Sequence, residues 1–164
     1  VHRPDVSRGC NDAQQAARAE DITGTWDVGP FDNDTAGDFG VSLDTAAPGE
    51  RAGIVDRALA RAVDAVGCLD APGAEEAVAA AALVAGQCHG GEPVDPVHGP
   101  AEPLPDLTAL RELAARALRR VMAEPSELMT LWSASAEDDN WRTQIRNLRG
   151  VLEPQPPEEQ GALF

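Results

Sequence analysis

The sequence predicts an all-α protein, a single compact bundle of five or six helices with a non-helical N-terminal lead-in and a proline-rich loop. Three observations predict it. Apolar residues recur at three- and four-residue spacing in several separate windows, the period of one helix face. Aromatics make up only 4% of the chain and Tyr is absent, so Ala and the aliphatics must fill the interior, which suits closely approaching helices better than a β-sandwich. Pro, Asp and Gly stand where helices start and stop. At 164 residues the chain is of a length that one domain accounts for.

Residues 1–23 are polar and without hydrophobic periodicity, so they are expected to be a disordered extension, with order beginning at Gly24. The helical domain is expected over 24–154. The stretch "EPQPPEEQ" closes it, and 155–164 are expected to be a disordered tail that buries too little surface to offset its chain entropy.

The opening stretch is "GTWDVGPFDNDTAGDF", Gly24 to Phe39. Gly24 and Gly29-Pro30 bend the chain, while Trp26 and Phe31 are the large apolar groups that plug it into the helical core. Asp32, Asn33 and Asp34 offer caps and negative charge to a helix beginning near Thr35. Phe39 and Leu43 form its buried side, and Gly37 and Gly40 keep it short.

Pro48 and Glu50 open the next helix, whose inner face is Ile54, Val55, Ala58, Leu59, Ala62, Val63 and Val66, with Gly67 as its stop. Asp70 caps a third helix with Pro72 in its first turn. Ala77 to Ala85 are apolar on every side, so this helix belongs at the centre of the bundle, ending at Gly90-Gly91. From Glu92 to Pro105 the prolines forbid helix and central strand, leaving an extended loop or a strap packed by Val94, Val97 and Leu104.

Asp106 or Thr108 caps a helix whose stripe is Leu110, Leu113, Ala114, Ala117, Leu118 and Val121, with Leu113 and Leu118 expected to be fully buried. Pro125 stops it and opens a short helix holding Leu128, Leu131 and Trp132. The last helix, capped around Ser135 or Asp138, shows Trp141, Ile145, Leu148 and Leu152 on one face.

The formal net charge is -15, and all 13 basic residues are Arg. That excess repels phosphate backbones and anionic lipid, so nucleic-acid and membrane partners are disfavoured and a basic protein partner is not. Cys10, Cys68 and Cys88 are too few and of odd number for a disulfide framework, so reduced thiols are expected. With no secretory signal pattern and no apolar run long enough to span a bilayer, the expected location is the cytoplasm.

Asp32, Asp34 and Gly37 fall at the first, third and sixth positions of a calcium loop, but Ala36 and Leu43 occupy the fifth and twelfth, where acids are needed. Capping is the better reading, and no metal or cofactor is assigned. Cys88 and His89, with His98 beyond, lack the fourth ligand of a structural zinc site and any local nucleophile signature. Arg111, Arg116, Arg119, Arg120, Arg142, Arg146 and Arg149 read as solvated faces paired with acids rather than an anion site. Walker-type, dinucleotide, serine-elbow and HExxH patterns are all missing.

"GTW" with "GPFDNDTAGDF", then "LDAPGAEEAVAAAALVA" and "GGEPVDP", resembles the bacterial family catalogued as domain of unknown function 4259, over about Gly24 to Leu152. Members of that family typically open with Met-Gly-Thr-Trp; Thr23 stands here in place of the Met, which puts 1–23 outside the resemblance. The resemblance implies no activity, and no catalytic residue is carried over from it. The functional expectation is a small acidic interaction or accessory module that docks a basic protein partner through Trp26, Asp27, Phe31, Asp32, Asn33, Asp34 and Asp38 together with the proline-rich loop. The alternative is an enzyme or metal-dependent hydrolase built on Asp32, Asp34 and Asp38.

Overall fold

The computed structural model describes residues 29–94 and 99–153. Within them lie six α-helices and no strand: α1 Asp34–Thr45, α2 Arg51–Val63, α3 Ala71–Ala85, α4 Arg111–Val121, α5 Glu127–Ser133 and α6 Asp138–Leu152. Short 3-10 turns, Pro48–Glu50 and Thr108–Leu110, lead into α2 and α4. The all-α bundle expected from the sequence is the fold observed. The expected disorder of 1–23 and 155–164, the packing of Trp26, the position of Val97 and the role of His98 fall outside the described residues.

α3 is the axle of the bundle. It packs against each of the other five helices, and from Ala77 to Ala85 every residue is buried. Its methyl-sized side chains let the surrounding helices approach closely, which suits a core this poor in aromatics. Leu43, Leu59, Leu107, Leu118, Ile145 and Leu152 fill the space between the outer helices and the axle. Trp132 of α5 and Trp141 of α6 stack at 5.7 Å between ring centroids, 9° from parallel, and fix those two helices to each other.

Side-chain acceptors cap three of the six helices, α1, α3 and α5. By contrast, α2, α4 and α6 start at Glu50, Leu110 and Glu137 without a side-chain cap, so the caps expected at Asp106 or Thr108 and at Ser135 or Asp138 are not formed. Asn33 Oδ1 accepts from Ala36 N–H at 2.8 Å, Asp70 Oδ1 from Gly73 N–H at 2.8 Å, and the buried Ser126 hydroxyl caps α5 at Met129. Asp106 accepts from the hydroxyl and backbone N–H of Thr108, two bonds that hold its carboxyl below the usual carboxylate range. Glu127 caps a helix other than its own: its Oε1 accepts from Ala71 N–H at 2.9 Å, tying the start of α5 to the start of α3. Beside it, Leu69 and Ser126 form an isolated parallel bridge, and Arg120 ties this seam by donating to the carbonyl oxygens of Gly67, Ala123 and Pro125.

Several expectations change in detail. Val66 is 94% exposed, because α2 ends at Val63 and the chain then turns through Gly67 at φ 77°, so the helical period no longer governs it. Leu113 is half-buried whereas Leu118 is fully buried; Ala114, Ala115 and Ala117 take the inner positions beside it. α3 ends at Ala85 rather than at Gly90-Gly91, since the chain at Glu92 and Pro93 crosses directly over Gly86, where a β-carbon would meet the Glu92 carbonyl oxygen at 3.2 Å. α1 runs 12 residues despite its two glycines, and Gly40 is the point where it meets the backbone of Gly99 and Pro100. Cys68 is disulfide-bonded, so the expectation of reduced thiols holds for Cys88 alone among the described cysteines.

The proline-rich segment is a strap. Asp44 accepts from Ala101 N–H and Glu102 N–H, Arg51 donates to Pro103 O, and Gln87 holds Pro105 O and Leu107 N–H. Asp44 of α1, Arg51 of α2 and Gln87 just beyond α3 thus supply the hydrogen bonds that prolines and an extended backbone cannot make among themselves. No helix among the described residues is long and apolar enough to cross a membrane.

Candidate functional site

The stretch Gly29-Pro30-Phe31-Asp32-Asn33-Asp34 resolves into separate jobs. Asp32 N–H donates to Gly29 O at 3.1 Å, and Gly29 N–H donates to Asp32 Oδ2 at 3.0 Å, so the turn is closed from both ends. A β-carbon at Gly29 would meet that carboxylate, so a larger residue there would displace the Asp32 side chain from this bond. Pro30 suits the second position of the turn, and Phe31 inserts into the core. Asn33 is buried as the cap of α1, whereas Asp34 and Asp38 are exposed, four residues apart along that helix.

This turn forms one wall of an open groove of about 480 Å³. Ala82 and Ala85, at the end of α3, form its floor. Gly90, Gly91 and the start of the strap, Glu92 to Val94, form a second wall, and Gln144, Asn147, Leu148 and Val151 of α6 form the third. Gly91 is obligatory here, because a β-carbon would run into the carbonyl of Ala85 and press on Val151. A shallower hollow of about 190 Å³ lies on the far side of Pro93 and Val94, lined by Leu83, Gln87 and Leu104 among others.

The groove is apolar at its base and polar at its rim. Asp32 and Glu92 are the charged residues of its described wall, and no Arg lines it. Asp32 Oδ1 and the side-chain amides of Gln144 and Asn147 have no hydrogen-bond partner among the described residues, so they present donors and acceptors to whatever enters. Its volume falls within the usual range of ligand-binding clefts.

Of the residues singled out from the sequence, Phe31 and Asp32 lie in the groove wall, Asn33 lies behind it as a cap, and Asp34 and Asp38 lie outside it. Trp26 and Asp27 fall outside the described residues. Asp32, Asp34 and Asp38 are not gathered into one ligand set: among the described residues no group of three or more His, Cys, Asp or Glu is placed to hold a metal ion. Cys88 is half-buried at the end of α3, its thiol donating to Val84 O at 3.3 Å, and His89 is exposed.

Several of the arginines are held by acids or by backbone carbonyls. Arg142 pairs with Asp138, and Arg119 and Arg149 both reach Glu153. Arg111 and Arg120 instead hold backbone carbonyls, those of Leu152 and Glu153 and those around Pro125.

Sequence reasoning missed Gln144 and Asn147, while Glu92 entered it as the first residue of the proline-rich loop. Gln144 and Asn147 flank the apolar stripe of α6 one turn apart, a signal that reads as ordinary solvent-facing amides until the strap is seen opposite them.

Glu75 on α3 is the described group whose titration departs furthest from the ordinary. Burial pushes its carboxyl up to about 7, a hydrogen bond from Thr35 opposes the rise, and the neighbouring charges of Asp34 and Glu127 add to it. It lies among the first turns of α1, α3 and α5, away from the groove wall.

A family model described as domain of unknown function (DUF4259) matches residues 24–144, a span that includes the opening turn, α3, the strap and Gln144. No curated protein and no solved structure matches the chain.

Proposed function

The chain belongs to the DUF4259 family, and from that premise we propose that it is an interaction module that docks a basic protein partner in the groove between the Gly29–Asp32 turn and α6. The observation that carries this reading is the composition of the groove wall: an aliphatic base, two carboxylates, two free amides and no Arg. A surface with a net charge of -15 attracts cationic partners at long range, and an apolar base contributes burial once they arrive. The acidic residues are dispersed along α1 instead of being focused on one reacting centre, which favours docking over hydrolysis.

A photo-crosslinking residue at position 147, compared with one at the exposed position 116 on α4, tests the reading in living cells. The expected result is an adduct of defined mass at 147, without counterpart at 116, that disappears in the Asp32→Asn chain. Equal adducts at both positions, or adducts indifferent to Asp32, would overturn it.

A further inference from the structure

Resting on the docking reading, we propose that the occupant of the groove is an extended segment of the partner that places a lysine side chain on Asp32, while Gln144 and Asn147 hydrogen-bond its backbone.

The charge follows from desolvation. Whatever fills the groove takes water away from Asp32, and a carboxylate that loses its hydration is costly unless a cation or strong donors replace it. The described wall supplies no cation, since its other charged residue is Glu92 and no Arg lines it, and the Gly29 N–H satisfies Oδ2 alone. The occupant must bring the positive charge. An anionic occupant would face two carboxylates, and a purely aliphatic one would strand Asp32 without its water.

The choice of lysine over arginine follows from the turn. A guanidinium is recognised best when its two parallel N–H groups meet both oxygens of a carboxylate. Here Oδ2 already accepts from Gly29 N–H at 3.0 Å, which leaves Oδ1 as the unshared oxygen. A single free oxygen suits a compact ammonium, whose charge needs no fork. The aliphatic stem of that lysine can then lie along Ala85, Leu148 and Val151.

The extended form follows from the amides. Gln144 and Asn147 lie one helical turn apart on the same side of α6, and each offers a carbonyl oxygen and an NH₂ group. That alternation matches the C=O and N–H groups of an unpaired peptide backbone, which needs such partners once it leaves water. A helical segment would already have satisfied those groups internally and would leave the two amides unused.

Selection of a random peptide library displayed on phage, with the full chain as bait, tests the proposal. Enriched peptides should carry a lysine at one recurring position with aliphatic neighbours. Their soluble forms should lose about tenfold or more in affinity when that lysine becomes norleucine, or when the bait carries Asp32→Asn, which keeps an acceptor for Gly29 N–H and removes the charge. Arginine at the same position should bind more weakly than lysine. Asn147→Arg, at an exposed position, should abolish binding without altering the melting temperature. Peptides that lack a recurring lysine yet are lost with Asn147→Arg would overturn this proposal and leave the docking reading standing. Failure to enrich peptides, or binding indifferent to Asn147→Arg, would overturn both.

Discussion

The guanidinium of Arg51 closes the end of α1: its Nε donates to Leu43 O at 2.9 Å, although Arg51 belongs to α2 and is only 7% exposed. The same side chain reaches Ala46 O and Pro103 O, so one buried cation serves the end of a helix, the turn after it and the strap. The carbonyl ends of α1 supply the compensating negative potential. Replacing Arg51 by Met keeps bulk and leaves those carbonyls unpaired. A loss of about 2–4 kcal/mol is expected in chemical denaturation, with Arg51→Lys intermediate because one ammonium cannot span the same set of acceptors.

Glu75 makes stability depend on pH near neutrality. Its carboxyl titrates at about 7 in the folded chain, against an ordinary value of 4.5. Between these values the folded state holds a proton that the unfolded state has released, so the stabilising effect is complete below pH 4.5 and is lost as pH rises through 7. Allowing for partial solvent screening, the penalty above neutrality is on the order of 2 kcal/mol. Thermal melts from pH 5 to pH 8 should show the wild type falling relative to Glu75→Gln; parallel curves for the two would show that Glu75 is not responsible.

Leu118 and Leu113 separate a fully buried position from a half-buried one on the same helix. Leu118→Ala should cost about 2–5 kcal/mol, and Leu113→Ala clearly less, because solvent already reaches part of the side chain and no closed cavity forms. Urea titrations of the two variants with unchanged m-values would check this.

Two glycines should respond in opposite directions. Gly37 of α1 has open space where a β-carbon would stand, so Gly37→Ala should stabilise by about 0.5–1 kcal/mol. At Gly91 the carbonyl of Ala85 occupies that space, and Gly91→Ala should cost about 1–3 kcal/mol as the strap is forced outward. Differential scanning calorimetry of both variants gives the signs directly.

The helices were legible because their information is local. Asp70 with Pro72 marks the start of α3, and the unbroken Ala77–Ala85 run marks its central place, both read from neighbours in the chain. Less legible was whatever depends on residues far apart meeting. Nothing near Arg51 says that it will be buried, because its acceptors come from the end of α1 and from Pro103, 52 positions on. Glu127 looks like an ordinary first-turn acid of α5, yet it caps Ala71, 56 positions away. The groove has the same character: Asp32 was visible as a helix-capping acid, not as the residue that closes the turn, and Gln144 and Asn147 gain meaning only when α6 is brought against the end of α3. Val66 shows the converse error, a local period extended past the point where the helix had stopped.

An axle made of methyl groups leaves its surroundings no slack. Since α3 is the common neighbour of the five other helices and Ala79 and Ala81 on it are fully buried, a larger side chain at either position would press the surrounding helices apart. Variation accumulating in this protein should therefore spare the small residues of that one helix while the outer faces of the others drift.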